Sequence, residues 1–474
     1  MTSIGLPLVI EAAVFALAVV VLVGGLISQG DASRRLSWVT LVGLLGVLGL
    51  TFVAQEDASA FGGAFVQDGL ALFGKRLVLG AAVLSLLGSV TLGHPTFDRR
   101  SAEYHFVLLV SLVGMLVLVS ARELILFFVA FELMSIPLYV LTGFLKREAT
   151  APEAALKFFV VGTVSAAVMA YGMSFVYGVT GTTAFDAIPA AMAEGQPLMM
   201  LGMGLVLAGL GFKIAAFPFH MWAPDTYEAA TTPFVAWLSV APKAAGFVAL
   251  LRLFVEGAGS TGLVWVPAFS VLAGVTIVAG NLMAIPQHNI KRLLAYSGVA
   301  HIGYLLIGLA AMSVTGTTMV LFYLLVYVFG NMGTFLVVET VFRSERSHEI
   351  DAYRGLAQRS PLLALAMLLF LLSLGGIPFV AGFWAKLYIF LSGVERGLYG
   401  LVFLGAILTV VALYYYLLVA RRMYIEAAER TEPVPVPATL GLAIGICLLG
   451  IVGIGVYPGP WVDAARRIAE ALFS

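Results

Sequence analysis

Apolar residues run unbroken for about twenty positions at a time, repeatedly, from Gly5 almost to the last residue. Each run is long enough to cross a hydrocarbon layer of ~30 Å as an α-helix. The runs are continuously apolar rather than alternating, which argues against a membrane barrel, whose strands alternate lipid-facing and lumen-facing positions. Run length and flanking charge predict about fourteen spans: 5–28, 37–54, 77–94, 106–121, 123–145, 155–178, 198–220, 232–255, 264–284, 292–312, 317–340, 361–391, 398–420 and 437–457. The first run has no basic leader and no small-residue cleavage site, so it reads as a retained helix. The longest connections, Gln55 to Arg76 and Arg343 to Ser360, have room only for short amphipathic pieces. The expected fold is an all-α polytopic membrane protein.

Composition agrees. Of 474 residues, 61% are hydrophobic and 11% charged, where soluble domains carry about 25% charged residues. Lys+Arg and Asp+Glu both total 26, so net charge points to neither an acidic nor a basic partner, and nucleic acid is not an expected one. The single cysteine, Cys447, lies in an apolar run and by itself can form no internal disulfide, iron–sulfur cluster or structural zinc site. No G-x-G-x-x-G follows a strand-like segment, and neither a P-loop nor a metal-spaced His/Cys group occurs. Glycine-rich stretches such as "LGMGLVLAGLG" read as close helix packing. The cluster Tyr414-Tyr415-Tyr416 likewise reads as packing.

The basic residues orient the chain. Loops after odd-numbered spans carry Arg34, Arg35, Arg99, Arg100, Lys146, Arg147, Lys291, Arg292, Arg343, Arg346, Arg354, Arg359, Arg421, Arg422 and Arg430. The other side has Lys75, Arg76, Arg122, Arg252, Arg396, Arg466 and Arg467. The richer side is expected in the cytoplasm, with both termini outside. The loop after span seven breaks the pattern, having Asp225 and Glu228 but no Lys or Arg.

Lys157, Lys213, Lys243 and Lys386 then remain inside spans, and one carboxylate, Glu132 of "FFVAFELMSIPLY", sits near the middle of span five. Each costs roughly 2.5–3.5 kcal/mol at a helix centre on insertion scales, whereas Leu, Gly and Ala packing is enough to hold a bundle. Four lysines and one glutamate cannot all be charged in a dry core. Their protonation must depend on neighbours and water, which is what a proton path requires. A salt bridge that staples two helices accounts for one pair, not for the set. His301, in "YSGVAHIGYLL", suits a satisfied core histidine as well as a relay, and His220 an interfacial role as well as a proton-carrying one.

Pro218 follows Lys213 in "AGLGFKIAAFPFHMWAPD" and breaks its helix by removing a backbone donor. Inside lipid such a break survives only where protein or trapped water satisfies the freed groups. A second break, Gly375-Gly376-Ile377-Pro378, precedes Lys386 in span twelve. Broken helices at matching places in oppositely directed halves suggest an inverted repeat, spans four to eight against nine to thirteen. The expected parts are therefore 1–105 (helices one to three), 106–258 (first repeat), 259–425 (second repeat) and 426–474 (helix fourteen and tail).

"FELMSIPLYVLTGF", "EAALKFFVVG", "GFKIAAFPFHMWAPDTYEAATTP", "SVAPKAAGF", "NIKRLLAYSGVAHIGY" and "GGIPFVAGFWAKLY" closely resemble the subunit N family of proton-pumping NADH–quinone oxidoreductase, respiratory complex I. Its relatives are the other antiporter-like subunits and the Mrp-type cation/proton antiporters. The resemblance implies fourteen helices, two inverted five-helix repeats and no redox cofactor in this chain. NADH, FMN, iron–sulfur clusters and quinone would belong to partner subunits. It further implies that Glu132 is the helix-five glutamate, tuned by Lys157. Lys213 would be the central lysine, Lys243 the bridging one and Lys386 the exit-side one. Lys291 matches a family lysine at the cytoplasmic edge. The expected function is a proton-translocating membrane-arm subunit in the bacterial plasma membrane, beside antiporter-like and small membrane-arm subunits. The rivals are a self-standing or Mrp-type cation/proton antiporter and the same subunit in a complex fed by a different donor.

Overall fold

The structure, a computed structural model, describes residues 7–27, 32–90, 95–146, 148, 150–256, 264–428 and 430–473. Arg147, the expected ends of spans one and three, and the expected 258/259 repeat boundary lie outside them. Among the described residues thirteen helices are long and apolar enough to cross a membrane. In order they are Val9–Ile27, Arg34–Val53, Gly69–Ser89, Ser101–Leu118, Leu124–Thr142, Thr150–Thr180, Pro197–Ile214, Thr232–Glu256, Val266–Ala284, Ile290–Ala310, Val314–Glu345, Tyr399–Tyr424 and Ala438–Val456. The predicted span twelve is two shorter helices, Pro361–Gly375 and Ala381–Glu395. The chain is a polytopic all-α membrane protein.

Three local expectations change. The connection before span three contains strands, Ala58–Ala60 paired antiparallel with Phe65–Gln67. The chain reverses at Gly62 and Gly63, whose positive φ angles suit glycine. Span three itself starts at Gly69, not near residue 77, because Asp68 caps it by accepting from the Ala71 amide. Lys75 is therefore no loop anchor. It is fully buried, 2.8 Å from Glu11 of span one and 3.0 Å from Gln67 Oε1. Arg252 is likewise a buried helix residue, paired with Asp68 and Glu256. Hydropathy trims charged helix ends because it cannot see the partner that neutralises them.

The third change is in span eight, expected to be continuous. It consists of Thr232–Leu238, Ala241–Leu250 and a π-helical turn, Leu251–Glu256. Pro242 takes the first turn of the second piece, where its missing N–H has no helical acceptor to lose. Packing elsewhere follows the small residues. A Cβ on Gly172 would come within 2.6 Å of the Gly202 carbonyl, and one on Gly209 within 2.5 Å of Met169 Cβ. The glycines of "LGMGLVLAGLG" thus bring spans six and seven close together. An amphipathic helix, Gly459–Phe473, follows span fourteen with Ala465 and Ala469 buried.

The chain divides into two compact units. One is built on the chain up to Ile214 with Ala229–Val264, the other on Ala215–Glu228 with Trp265–Glu470.

Candidate functional site

In the first unit, Lys213 is the next-to-last residue of Pro197–Ile214. The unpaired carbonyls of a helix end favour a cation there. Its side chain is buried; Nζ donates to Ser135 Oγ at 2.8 Å and lies 5.4 Å from the centre of the Phe131 ring. Ser135 follows Glu132 by three positions, so the two share a helix face. Glu132 is half-buried, and its Oε1 is sealed without a hydrogen-bond partner among the described residues. Glu132 and Lys213 interact electrostatically, yet the ammonium rests on the serine rather than in a contact ion pair. The carboxylate is close enough to be felt and far enough not to staple the helices.

Lys243 is buried in the first turn of Ala241–Leu250. One turn on, Gly246 leaves room for Ile214 and for the Lys213 stem, which would lie 2.9 and 3.8 Å from a Cβ there. The two lysines therefore occupy packed helices, spans seven and eight. Lys157 is placed differently. Its side chain is 51% exposed and forms an ion pair with Glu153 at 2.8 Å, so it sits at the unit's surface rather than in the buried set.

In the second unit the chain resumes with Ala215 in the left-handed region, at φ 60°. The Phe217 amide, freed by the break, donates to Thr276 Oγ1 at 3.2 Å. His220 is buried with its ring stacked on Phe217 and near Tyr296. A short helix, Trp222–Ala229, then presents Asp225 and Glu228, both 2.8 Å from Arg292. The odd acidic loop is explained: its partner is the basic pair at the start of span ten. Lys291 is buried there, donating to the Glu228 carbonyl at 2.9 Å.

At the second break Gly376 has φ 82°, and its amide and that of Ile377 fold back onto Leu372 O. Gly382 N donates to Ser373 Oγ. Lys386 is buried and reaches back so that Nζ donates to the Gly375 carbonyl at 3.2 Å, with the Tyr304 ring centre 4.8 Å away. Lys213 precedes its proline and Lys386 follows its own: Lys213 belongs to the last turn of its half-helix with its ammonium on Ser135, whereas the Lys386 ammonium reaches back to the C-terminal carbonyl of the half-helix before its break. His301 is buried with Nδ1 2.7 Å from Tyr323 Oη and Nε2 3.2 Å from Tyr416 Oη.

Several of these polar groups escape a reading of the sequence. Ser135 is signalled by its spacing to Glu132, and Asn281 by being an amide inside a span. Tyr415 and Tyr416 fit a packing role by pattern, but both are buried with hydrogen-bonded hydroxyls, and only Tyr414 faces outward. Nothing local distinguishes the three.

The family model for the NADH:quinone oxidoreductase/Mrp antiporter transmembrane region matches residues 121–412. NADH-quinone oxidoreductase subunit N of Moorella thermoacetica is 41% identical, over 98% of this chain and 98% of its own. The same subunit of Heliobacterium modesticaldum is 40% identical, over 95% and 96%. Among solved structures, a chain of respiratory complex I from Thermus thermophilus is 33% identical, with TM-score 0.81 over 96% of this chain and 98% of that one. A chain of the Mrp complex from Dietzia, 20% identical with TM-score 0.83 over 98% of both chains, shares the fold. The match at residues 121–412, together with these end-to-end relatives, shows that the chain belongs to the NADH:quinone oxidoreductase/Mrp antiporter transmembrane family.

Proposed function

We propose that this chain moves protons across the bacterial plasma membrane as a non-redox, membrane-arm subunit of an NADH–quinone oxidoreductase. Electrons pass from NADH to quinone in partner subunits, which hold the flavin and iron–sulfur clusters, and the energy arrives here as a change in pairing among buried charges. Glu132, Lys213, Lys243 and Lys386 carry the path. Lys157 tunes Glu132 from the surface of the first unit, and Lys291, His220 and His301 line the second. Spans four to eight and nine to thirteen act as inverted repeats, with both termini outside the cytoplasm.

The observation that carries this reading is the recurrence of a buried lysine beside a broken helix, Lys213 in the last turn before the first break and Lys386 with its ammonium on Gly375 O at the second. A broken helix offers loose carbonyls to the charged form, while burial favours the neutral form. A lysine held between those two influences can switch. A fixed staple needs a contact partner, and Lys213 rests on a neutral serine instead.

The test is proton uptake by vesicles containing the reconstituted complex. Lys213→Met keeps bulk and removes the titrating group; it should assemble and lose most uptake. Lys213→Arg should be defective as well, because a guanidinium stays protonated. Pro218→Ala should give a milder loss. Wild-type uptake in both Lys213 variants rejects the proposal. The family model also covers Mrp antiporters, so a second reading is cation/proton exchange without a redox partner. Purification alone with sodium–proton exchange in vesicles would favour it.

A further inference from the structure

Span thirteen offers the second unit two buried phenols that the sequence marks only as aromatic. Tyr416 Oη lies 3.2 Å from His301 Nε2 and makes a short hydrogen bond with Ser297 Oγ. Ser297 and His301 are four positions apart on span ten, so both face span thirteen from one side. The other ring nitrogen of His301, Nδ1, meets Tyr323 Oη of span eleven at 2.7 Å. The imidazole is thus held from both ends by hydroxyls, each able to donate or accept. Next to Tyr416, the Tyr415 hydroxyl donates to Asn281 Oδ1 at 3.1 Å. The Asn281 amide nitrogen in turn donates to Tyr304 Oη at 3.3 Å and to Ile277 O at 2.8 Å. The Tyr304 ring is the one beneath the Lys386 ammonium.

These contacts join spans nine to thirteen in one buried polar chain with His301 at one end and Lys386 at the other. Phenylalanine would fill the same volume. A buried phenol that lost its hydrogen bond would be penalised, yet here each hydroxyl has a partner, and the partners belong to the ring and the amide that orient the two titratable groups. Asn281 cannot carry a proton at its amide; it sets the directions of Tyr304 and Tyr415.

We propose that Tyr416 is a positioning residue for proton passage at His301. Tyr416 and Tyr323 fix the ring so that one nitrogen faces span eleven and the other span thirteen. Tyr415, Asn281 and Tyr304 tie that arrangement to the seat of Lys386. The proposal rests on the proton-carrying reading above and goes beyond it by assigning a role to a span that contributes no buried lysine or carboxylate to the path.

The test uses the assembled complex in vesicles, comparing Tyr416→Phe with Tyr414→Phe, whose ring is exposed on the same helix. Subunit content and non-pumping electron transfer are checked alongside. Tyr416→Phe should assemble normally and reduce coupled proton uptake by up to about a hundredfold, the loss that misplacing a reacting group by about 1 Å can cause. Its uptake should also show a larger solvent deuterium effect than wild type, a change that a packing role would not produce. Combined with His301→Gln, it should add no further loss. Ser297→Ala leaves every ring in place and removes the short bond to Tyr416, so it gives the same reading should Tyr416→Phe fail to assemble. Uptake equal to that of Tyr414→Phe, or a loss additive with that of His301→Gln, overturns the proposal. If Lys213→Met abolishes uptake while Tyr416→Phe and Ser297→Ala do not, only this inference fails. If none of the variants affects uptake, the proton-path reading falls with it.

Discussion

Removing Lys75 alone should damage the protein far more than removing Lys75 and Glu11 together. Lys75 Nζ lies 2.8 Å from Glu11, 3.0 Å from Gln67 Oε1 and 5.0 Å from the Phe65 ring centre, in a fully buried position. Lys75→Met keeps the length of the chain but leaves the Glu11 carboxylate buried at 5% exposure, facing an apolar methyl. Breaking a buried pair from one side costs about 3–5 kcal/mol, because the remaining charge has lost its compensation. Those energies correspond to a factor of about 10² to 10⁴ in the folded-to-unfolded ratio. Replacing both partners, Glu11→Gln with Lys75→Met, removes both desolvation penalties and should recover most of the loss. The assay is the midpoint of unfolding of the purified complex in mixed micelles of rising SDS content, followed by dissociation of this subunit. Lys75→Met should shift the midpoint down clearly and the double variant should return toward wild type. A Lys75→Met midpoint equal to wild type, or a double variant no better than the single one, refutes the reasoning.

Glu132→Gln should assemble yet lose most coupled proton uptake, with Glu132→Asp retaining part; normal uptake by the Gln variant would return Glu132 to a structural role. Gly209→Leu should overpack the contact with Met169, destabilising by about 1–3 kcal/mol and lowering the subunit's yield in membranes; an unchanged yield would mean that the helices can separate without cost. For orientation, cysteines at Ser59 and at Ser347, in a Cys447→Ala background, should react with an impermeant reagent from opposite sides of the membrane; labelling of both from outside intact cells would contradict the charge asymmetry. His348, stacked on Phe342, is pushed down to about 3 by burial and then by the Lys291 charge. Its neutral form is the folded one, so the stability of that loop is fully present above the ordinary histidine value of about 6.5 and declines as pH falls from there toward about 3. His348→Phe should flatten this decline, as read by proteolysis of the 343–360 loop at graded pH; an unaltered profile would show that another group titrates.

The two broken helices and the lysines inside apolar runs are legible in the chain itself. A lysine inside a twenty-residue apolar run conflicts with lipid whatever the rest of the chain does, so the local sequence is enough to locate it. A proline alone is a weaker sign, since Pro137 sits within the continuous helix Leu124–Thr142. The same argument cannot distinguish Lys157 from Lys213. Both sit in apolar runs, but Lys157 points to the exposed surface beside Glu153 and Lys213 points inward to Ser135. The direction a helix faces is set by the helices packed against it.

By itself the sequence determined that the chain crosses the membrane many times as helices, where two of them break and which charges conflict with lipid, because hydrophobic length and backbone chemistry act within a few turns of chain. Tertiary structure alone decided what those charges meet. Lys75 has the pattern of a loop anchor, and only the fold puts Glu11 of a distant helix beside it. Lys386 follows its break in the chain, and only the fold brings its ammonium back to Gly375 O at the C-terminus of the preceding half-helix. Tyr414, Tyr415 and Tyr416 are identical in composition, and only rotation about the helix axis turns the last two toward Asn281 and His301. Hydrogen bonds and ion pairs in a membrane interior join groups far apart in the chain, and a local pattern holds no record of that pairing.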